Sequence, residues 1–250
     1  MAANLLILGG TTEATALGAA VATAGFKGTV SFAGRVARPK QQPLPQRVGG
    51  FGGVEGLRAY LRDHRVTHVV DATHPFAAQM SRNAIAACAG ENVPLIALTR
   101  APWVAQPDDS WTHVADIAGA VAALDHRAAR VMLAVGRMHL EDFAPNPQHF
   151  YLLRLVDRPS HAMPFPDHHV LVSRGPFTAQ NDLALMRDHR IDLVVSKNAG
   201  GTGAYAKIEA ARALQLPVII IDRPAIPNRT EAYRVEDVMA WLSHGADRGV

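Results

Sequence analysis

The sequence predicts an α/β protein built on parallel sheets, and three observations predict it. Short aliphatic runs recur along the chain with helical segments between them. Apolar residues make up 48% of the 250 residues but aromatics only 6%, a mix suited to strands buried on both faces. The first aliphatic run leads at once into a glycine-rich turn and a helix, the local form that holds phosphate at a helix start.

The elements follow in order. Leu5–Leu8 reads as a strand and Glu13–Thr23 as the helix after it. Thr29–Ala33 is the next strand; a long loop and a helix at Glu55–His64 come after. Strand His68–Asp71, helix Ala77–Ala89 and strand Leu95–Leu98 complete a first alternating set. Thr99–Trp111 carries Pro102, Pro107 and paired aspartates, which is loop composition. A short strand near His113 and a helix at Ile117–Asp125 precede a second set. That set has strands Val131–Val135, Phe150–Leu155 and Val170–Ser173, with Pro-rich Asp157–His168 as a surface excursion. Helix Ala179–His189, strand Leu193–Ser196, helix Ala204–Leu214 and strand Val218–Asp222 follow, and Val238–His244 ends the chain. Strands alternating with helices imply βαβ units and parallel sheets. The expected division is two domains, 1–127 and 128–250, joined near Ala128.

Composition narrows the classes of function. The net charge is only +3, and Lys and Arg are dispersed rather than run together, which argues against a nucleic-acid partner. No apolar run is long enough to span a membrane. Leu5–Leu8 is too short for a signal peptide, and Cys88, the single cysteine, cannot pair internally. A cytoplasmic, reducing compartment is therefore expected. No Cys/His cluster predicts a metal site.

Open parallel sheets bind ligands at the carboxyl ends of their strands, so the loops there are the candidates. Gly9 and Gly10 let the chain turn sharply and let backbone approach a phosphate; Thr11 or Thr12 either caps the helix or binds phosphate oxygen. Glu13 and the small Ala14 follow. A dinucleotide site often has a carboxylate at the end of the second strand for the ribose hydroxyls. Here that position offers Arg35 and Arg38 instead, which suits the 2′-phosphate of NADPH. Asp71-Ala72-Thr73-His74-Pro75 follows another strand and would put Thr73 and His74 at the ligand end. Lys197, Asn198, Gly200, Gly201, Thr202 and Gly203 form a glycine-rich, cationic loop after a later strand. It is not a Walker A loop, since Lys207 lies between Ala206 and Ile208. Gly49-Gly50-Phe51-Gly52-Gly53 is a further loop near the cofactor, and Arg137 and Arg174 add cations at strand ends. No Tyr-x-x-x-Lys occurs, which argues against the mechanism of short-chain dehydrogenases.

These loops together resemble the precorrin-6A reductase family of cobalamin biosynthesis. The resemblance rests on Gly9–Ala14, Gly49–Gly53 with Gly56-Leu57 and Tyr60-Leu61, Asp71–Ala77, Arg174–Phe177, Ser196–Gly203 and Lys207, in order over nearly the whole chain. It implies two Rossmann-like domains with the active site in the cleft between them. It implies NADPH as reductant and a polycarboxylate tetrapyrrole as substrate. On this reading Gly9, Gly10, Thr11, Thr12, Glu13, Arg35, Arg38, Ala72, Thr73 and Gly200 belong to the cofactor side. Arg137, Arg174, Lys197, Asn198, Gly201, Thr202, Gly203 and Lys207 belong to the substrate side, and His74 is the proton donor. Hydride chemistry resides in the cofactor, so the protein need chiefly position and polarise. Two alternatives stand beside it: a reductase of another anionic substrate, and a nucleotide sensor without catalysis.

Overall fold

A computed structural model describes residues 3–34, 41–159 and 161–247. In chain order the elements are β1 (Asn4–Leu8), α1 (Thr12–Thr23), β2 (Lys27–Phe32), β3 (Gln46–Val48), α2 (Gly53–Asp63), β4 (His68–Asp71), α3 (Ala78–Glu91) and β5 (Leu95–Leu98). Then come β6 (Trp111–Val114), α4 (Ile117–Ala123), β7 (Arg130–Ala134), β8 (Phe150–Leu155), β9 (His168–Val172), α5 (Ala179–Asp188) and β10 (Leu193–Lys197). The chain ends with α6 (Ala206–Ala213), β11 (Val218–Ile221), β12 (Thr230–Ala232) and α7 (Val235–Asp247). Two short 3₁₀ turns, Arg137–His139 and Glu141–Phe143, follow β7.

The strands form two six-stranded sheets, in order β12-β5-β4-β1-β2-β3 and β6-β11-β10-β7-β8-β9. Every pairing is parallel. The first sheet has the 3-2-1-4-5-6 order of a Rossmann fold. The second repeats 3-2-1-4-5 from β7 onward, and β6, which precedes β7 in the chain, takes the sixth place.

The domain boundary differs from the one expected near residue 128. Unit 1 is Met1–Arg100 with Ala225–Val250, and unit 2 is Ala101–Pro224. Strand pairing is the cause. Trp111–Val114 lies in register with Val218–Ile221, which ties the segment after Arg100 to the second sheet. Thr230–Ala232 pairs with Ile96–Leu98, which returns the chain's last strand to the first sheet.

Both faces of the first sheet are covered, so its strands read as unbroken aliphatic runs. Leu5 and Ile7 pack with Leu17 and Val21 of α1 and Val238 and Leu242 of α7. Leu6 and Leu8 point the other way, against Leu57 and Leu61 of α2 and Ala84 and Cys88 of α3. Burial, with Asp71 nearby, pushes the Cys88 thiol up to about 12, so it serves as a small inert core residue. In unit 2, Met132, Leu152 and Val194 meet Met186 of α5 and Ile208 of α6. Among the described residues no helix is long and apolar enough to cross a membrane, and no group of three or more potential ligands is placed to hold a metal ion.

Candidate functional site

In unit 1 the strand order reverses between β1 and β4, and a crevice opens at such a point. The loop after β1 supplies Gly9 and Gly10. A Cβ on Gly9 would lie 3.0 Å from Val30 Cγ1, so any larger residue would have to push Val30 of β2 aside. Gly10 sits at φ +122° with open space around it, a backbone state that excludes other residues and leaves room for an anion. Thr11 caps α1: its hydroxyl oxygen accepts from Ala14 N–H at 3.1 Å and its proton goes to the Ala72 carbonyl at 2.8 Å. The cap is worth about 1 kcal/mol, and the second bond joins the β1 and β4 loops. Thr11 is thus the capping residue of the two roles open to it. Its hydroxyl proton is committed inside the protein. Thr12 is exposed and donates to Glu13.

Glu13 lies in the first turn of α1 and accepts from Arg100 at 2.8 Å. Burial acts to raise the Glu13 carboxyl. Its own backbone N–H, Arg100 and the Thr12 hydroxyl outweigh that and hold it below the usual range. Arg100 stands two residues beyond β5, and its strand-end position was the only signal in the sequence.

The loop after β4 is organised by Asp71, whose side chain is 1% exposed. One carboxylate oxygen accepts from the Thr73 N–H at 3.1 Å and the Thr73 hydroxyl at 2.7 Å. The other accepts from the Ser81 hydroxyl at 2.6 Å and from Arg229. Asp71 therefore fixes the loop, α3 and the approach to β12 together. Ala72 is buried and gives its carbonyl to Thr11. The Thr73 hydroxyl has spent its proton on Asp71, which leaves it an acceptor. His74 Nδ1 accepts from the Phe76 N–H at 3.2 Å, so the ring proton sits on Nε2. Arg229, far along the chain, carried no local motif.

Arg35 and Arg38, expected at the end of β2, lie outside the described residues. Nearby, Arg47 of β3 donates to Ser31 Oγ at 2.7 Å, Gly49 O at 2.9 Å and Gly50 O at 3.1 Å. Its guanidinium lies 3.8 Å from the Phe51 ring centre. It was missed because β3 is only three residues long and carries no aliphatic run.

In unit 2 the order reverses between β7 and β10. Gly136 follows β7 at φ +81°, and Arg137 after it is exposed. Arg174 is 56% exposed and paired with Asp157. Lys197, half-buried, ends β10, and the loop after it contains exposed Thr202 and Gly203. Three of the residues expected to meet ligand here are tied into the protein. Asn198 is buried, accepting from the Trp103 N–H at 2.8 Å and donating to the Trp103 carbonyl at 2.9 Å. Its amide is spent on fastening residue 103, whose indole N–H then donates to Gly201 O at 2.6 Å. Lys207 is 7% exposed, with Nζ on the Ala204 carbonyl at 2.6 Å and 4.9 Å from the Trp103 ring. Burial, with Arg154 nearby and against the pull of Asp182, lowers its pKa to about 8. Its ammonium faces protein, not the loop surface. Gly200 is required by packing: a Cβ there would stand 2.1 Å from Arg223 Nη2 and 2.3 Å from Ala101 O. Arg223 in turn donates to the Asn198 and Ala199 carbonyls.

The model of the family described as precorrin-6x reductase CbiJ/CobK matches residues 4–243. A precorrin-6A reductase of Rhodobacter capsulatus is 58% identical over 249 residues, 99% of each chain. One from Rhodococcus erythropolis is 45% identical, covering 96% of this chain and 97% of its own. A cobalt-precorrin-6A reductase of Priestia megaterium is 30% identical, covering 95% and 97%. A solved structure titled CobK precorrin-6A reductase superposes with a TM-score of 0.93 at 57% identity, covering 99% of this chain and 98% of the other.

Proposed function

The chain belongs to the precorrin-6x reductase family of oxidoreductases, and from that premise we propose that it reduces one macrocycle double bond of precorrin-6A with NADPH. The observation that carries the reading is whole-length 58% identity to a precorrin-6A reductase. The glycine turn at the reversal point of unit 1 agrees with it, since its open Gly10 fits a pyrophosphate.

The bound cofactor supplies hydride; the residues supply position, charge and a proton. Gly9, Gly10 and the first turn of α1 hold the pyrophosphate through backbone N–H groups and the helix dipole. Thr11 keeps that turn tied to Ala72, so the β1 and β4 loops present one surface. Asp71 fixes Thr73, whose hydroxyl oxygen accepts from the nicotinamide amide. His74 is the proton donor: once protonated at Nδ1 as well, its ring releases the Phe76 N–H, gives the Nε2 proton to the macrocycle and is left as neutral imidazole. Arg35 and Arg38 recognise the 2′-phosphate. In unit 2, Arg137, Arg174 and Lys197 take substrate carboxylates, and the 201–203 backbone donates N–H groups to them. A substrate with many acetate and propionate groups needs distributed donors of this kind.

The test is NADPH oxidation, followed by absorbance, on adding precorrin-6A. Turnover that depends on both supports the reading. Tight NADPH binding without turnover makes the chain a sensor, and turnover with another anionic substrate alone makes it a different reductase. Arg35→Ala should weaken NADPH far more than NADH; equal losses remove the phosphate assignment.

A further inference from the structure

Gly50 is a glycine that the fold does not require. Its φ is outside the left-handed region, and nothing lies within 4 Å of where a Cβ would stand. Its neighbours differ. Gly49, Gly52 and Gly53 sit at φ +117°, +81° and +84°, and a Cβ on Gly56 would fall 1.7 Å from the Phe51 carbonyl oxygen. Each of these has a reason inside the protein. A glycine without one is expected where something from outside comes close to the backbone.

A cation stands beside it. Arg47 holds the Gly49 and Gly50 carbonyls, reaches Ser31 of β2 and stacks on Phe51. These partners are all neutral. Among the described residues no carboxylate pairs with Arg47, whereas Arg58, Arg62, Arg100, Arg229 and Arg234 of the same unit each meet one. A guanidinium fixed by carbonyls and a hydroxyl keeps its charge for an outside anion, and its planar fork suits phosphate. The place fits too. Ser31 is one residue short of the end of β2, and in this strand order the end of the second strand faces the ribose of a bound dinucleotide.

We infer that Arg47 and Gly50 form the receiving edge for the adenosine 2′-phosphate: Arg47 contacts the phosphate and the sugar lies against the Gly50 backbone. This rests on the dinucleotide reading above and adds to it a site on β3, separate from Arg35 and Arg38. The Arg47–Phe51 stack, with Tyr60 edge-on to Phe51, forms the wall beside it.

The experiment is direct binding. NADPH and NADH are titrated by their fluorescence, and 2′,5′-ADP by competition, against the wild type, Gly50→Ala and Arg47→Met. Alanine at 50 meets no neighbour and no forbidden φ, so Gly50→Ala should keep the wild-type melting temperature. It should nonetheless weaken NADPH and 2′,5′-ADP about tenfold, because the added methyl holds the sugar, and with it the phosphate, off Arg47 and so loosens one charge-assisted contact. Arg47→Met should cut the preference for NADPH over NADH by a similar factor. Unchanged NADPH and 2′,5′-ADP binding by Gly50→Ala overturns the inference, and so does an equal loss of NADPH and NADH in Arg47→Met. Gly50→Ala decides alone if Arg47→Met does not fold. A wild type that binds neither dinucleotide fails the cofactor reading itself, and the 2′-phosphate site falls with it.

Discussion

Replacing Asp71 by Asn keeps the shape of the side chain and removes its charge, and the cost can be worked from its partners. Asp71 accepts four hydrogen bonds, two from Thr73 and one each from Ser81 and Arg229. In Asp71→Asn the remaining carbonyl oxygen can serve Thr73. The new amide group then faces Ser81 and Arg229. Ser81 can rotate and accept; Arg229, which only donates, cannot. Its side chain is 9% exposed, so a buried cation loses its main partner. Breaking a buried pair on one side costs about 3–5 kcal/mol. Arg229 keeps a second carboxylate, Glu231 at 3.3 Å, which places the loss near the lower end, about 3 kcal/mol. With a urea slope of about 2 kcal/mol per molar, the midpoint should fall by roughly 1.5 M. Hydrogen exchange of the β4 amides reads this for unit 1 alone, which matters because two units need not unfold together. Asp71→Asn combined with Arg229→Met should recover at least about half of the loss, since removing both partners leaves no stranded charge. A loss below about 1 kcal/mol, or a double variant less stable than the single one, refutes the role given to Asp71.

Three further outcomes follow from the same structure. Asn198→Ala strands a buried N–H and carbonyl of Trp103 and should destabilise unit 2 by about 3 kcal/mol, read by urea unfolding; a neutral effect removes the clasp. Lys207, lowered by burial from 10.5 to about 8, is charged in both folded and unfolded chains below pH 8. Above it the folded chain has released a proton that the unfolded chain still holds. Stability from this residue should therefore rise between about pH 8 and 10.5, and Lys207→Met should abolish that rise in a pH series of melting temperatures. Thr11→Val removes a cap and the bond to Ala72 and should cost about 2 kcal/mol, whereas Thr11→Ser, which keeps both, should be close to wild type in the same unfolding assay.

Much of this fold could be read from residue order because its signals are local. Aliphatic runs such as Leu5–Leu8 and Val218–Ile221 are buried on both faces, so each announces itself without its neighbours. β3 and β12 did not, since three-residue edge strands made of Gln46-Arg47-Val48 and Thr230-Glu231-Ala232 hold their places by pairing with β2 and β5. The same cause misplaced the domain boundary: which sheet receives Trp111–Val114 is decided by β11, about a hundred residues later. At the site, the glycine turn and the Asp71 loop were legible because strand ends are where ligands bind. Asn198 shares that address yet serves Trp103, because residue type at a strand end does not tell which way a side chain faces. Arg47, Arg100 and Arg229 escaped for the opposite reason. Their partners Ser31, Glu13 and Asp71 are distant in sequence, and no motif links them.

The central claim is that this chain moves hydride from NADPH to the macrocycle of precorrin-6A. It is tested most directly by a single turnover with NADPH deuterated on the reactive face of its nicotinamide, followed by mass spectrometry of the tetrapyrrole. The reduced product should carry one deuterium, and product made with NADPH deuterated on the other face should carry none. A reduced product without deuterium from either cofactor, or a macrocycle returned unreduced, would contradict it.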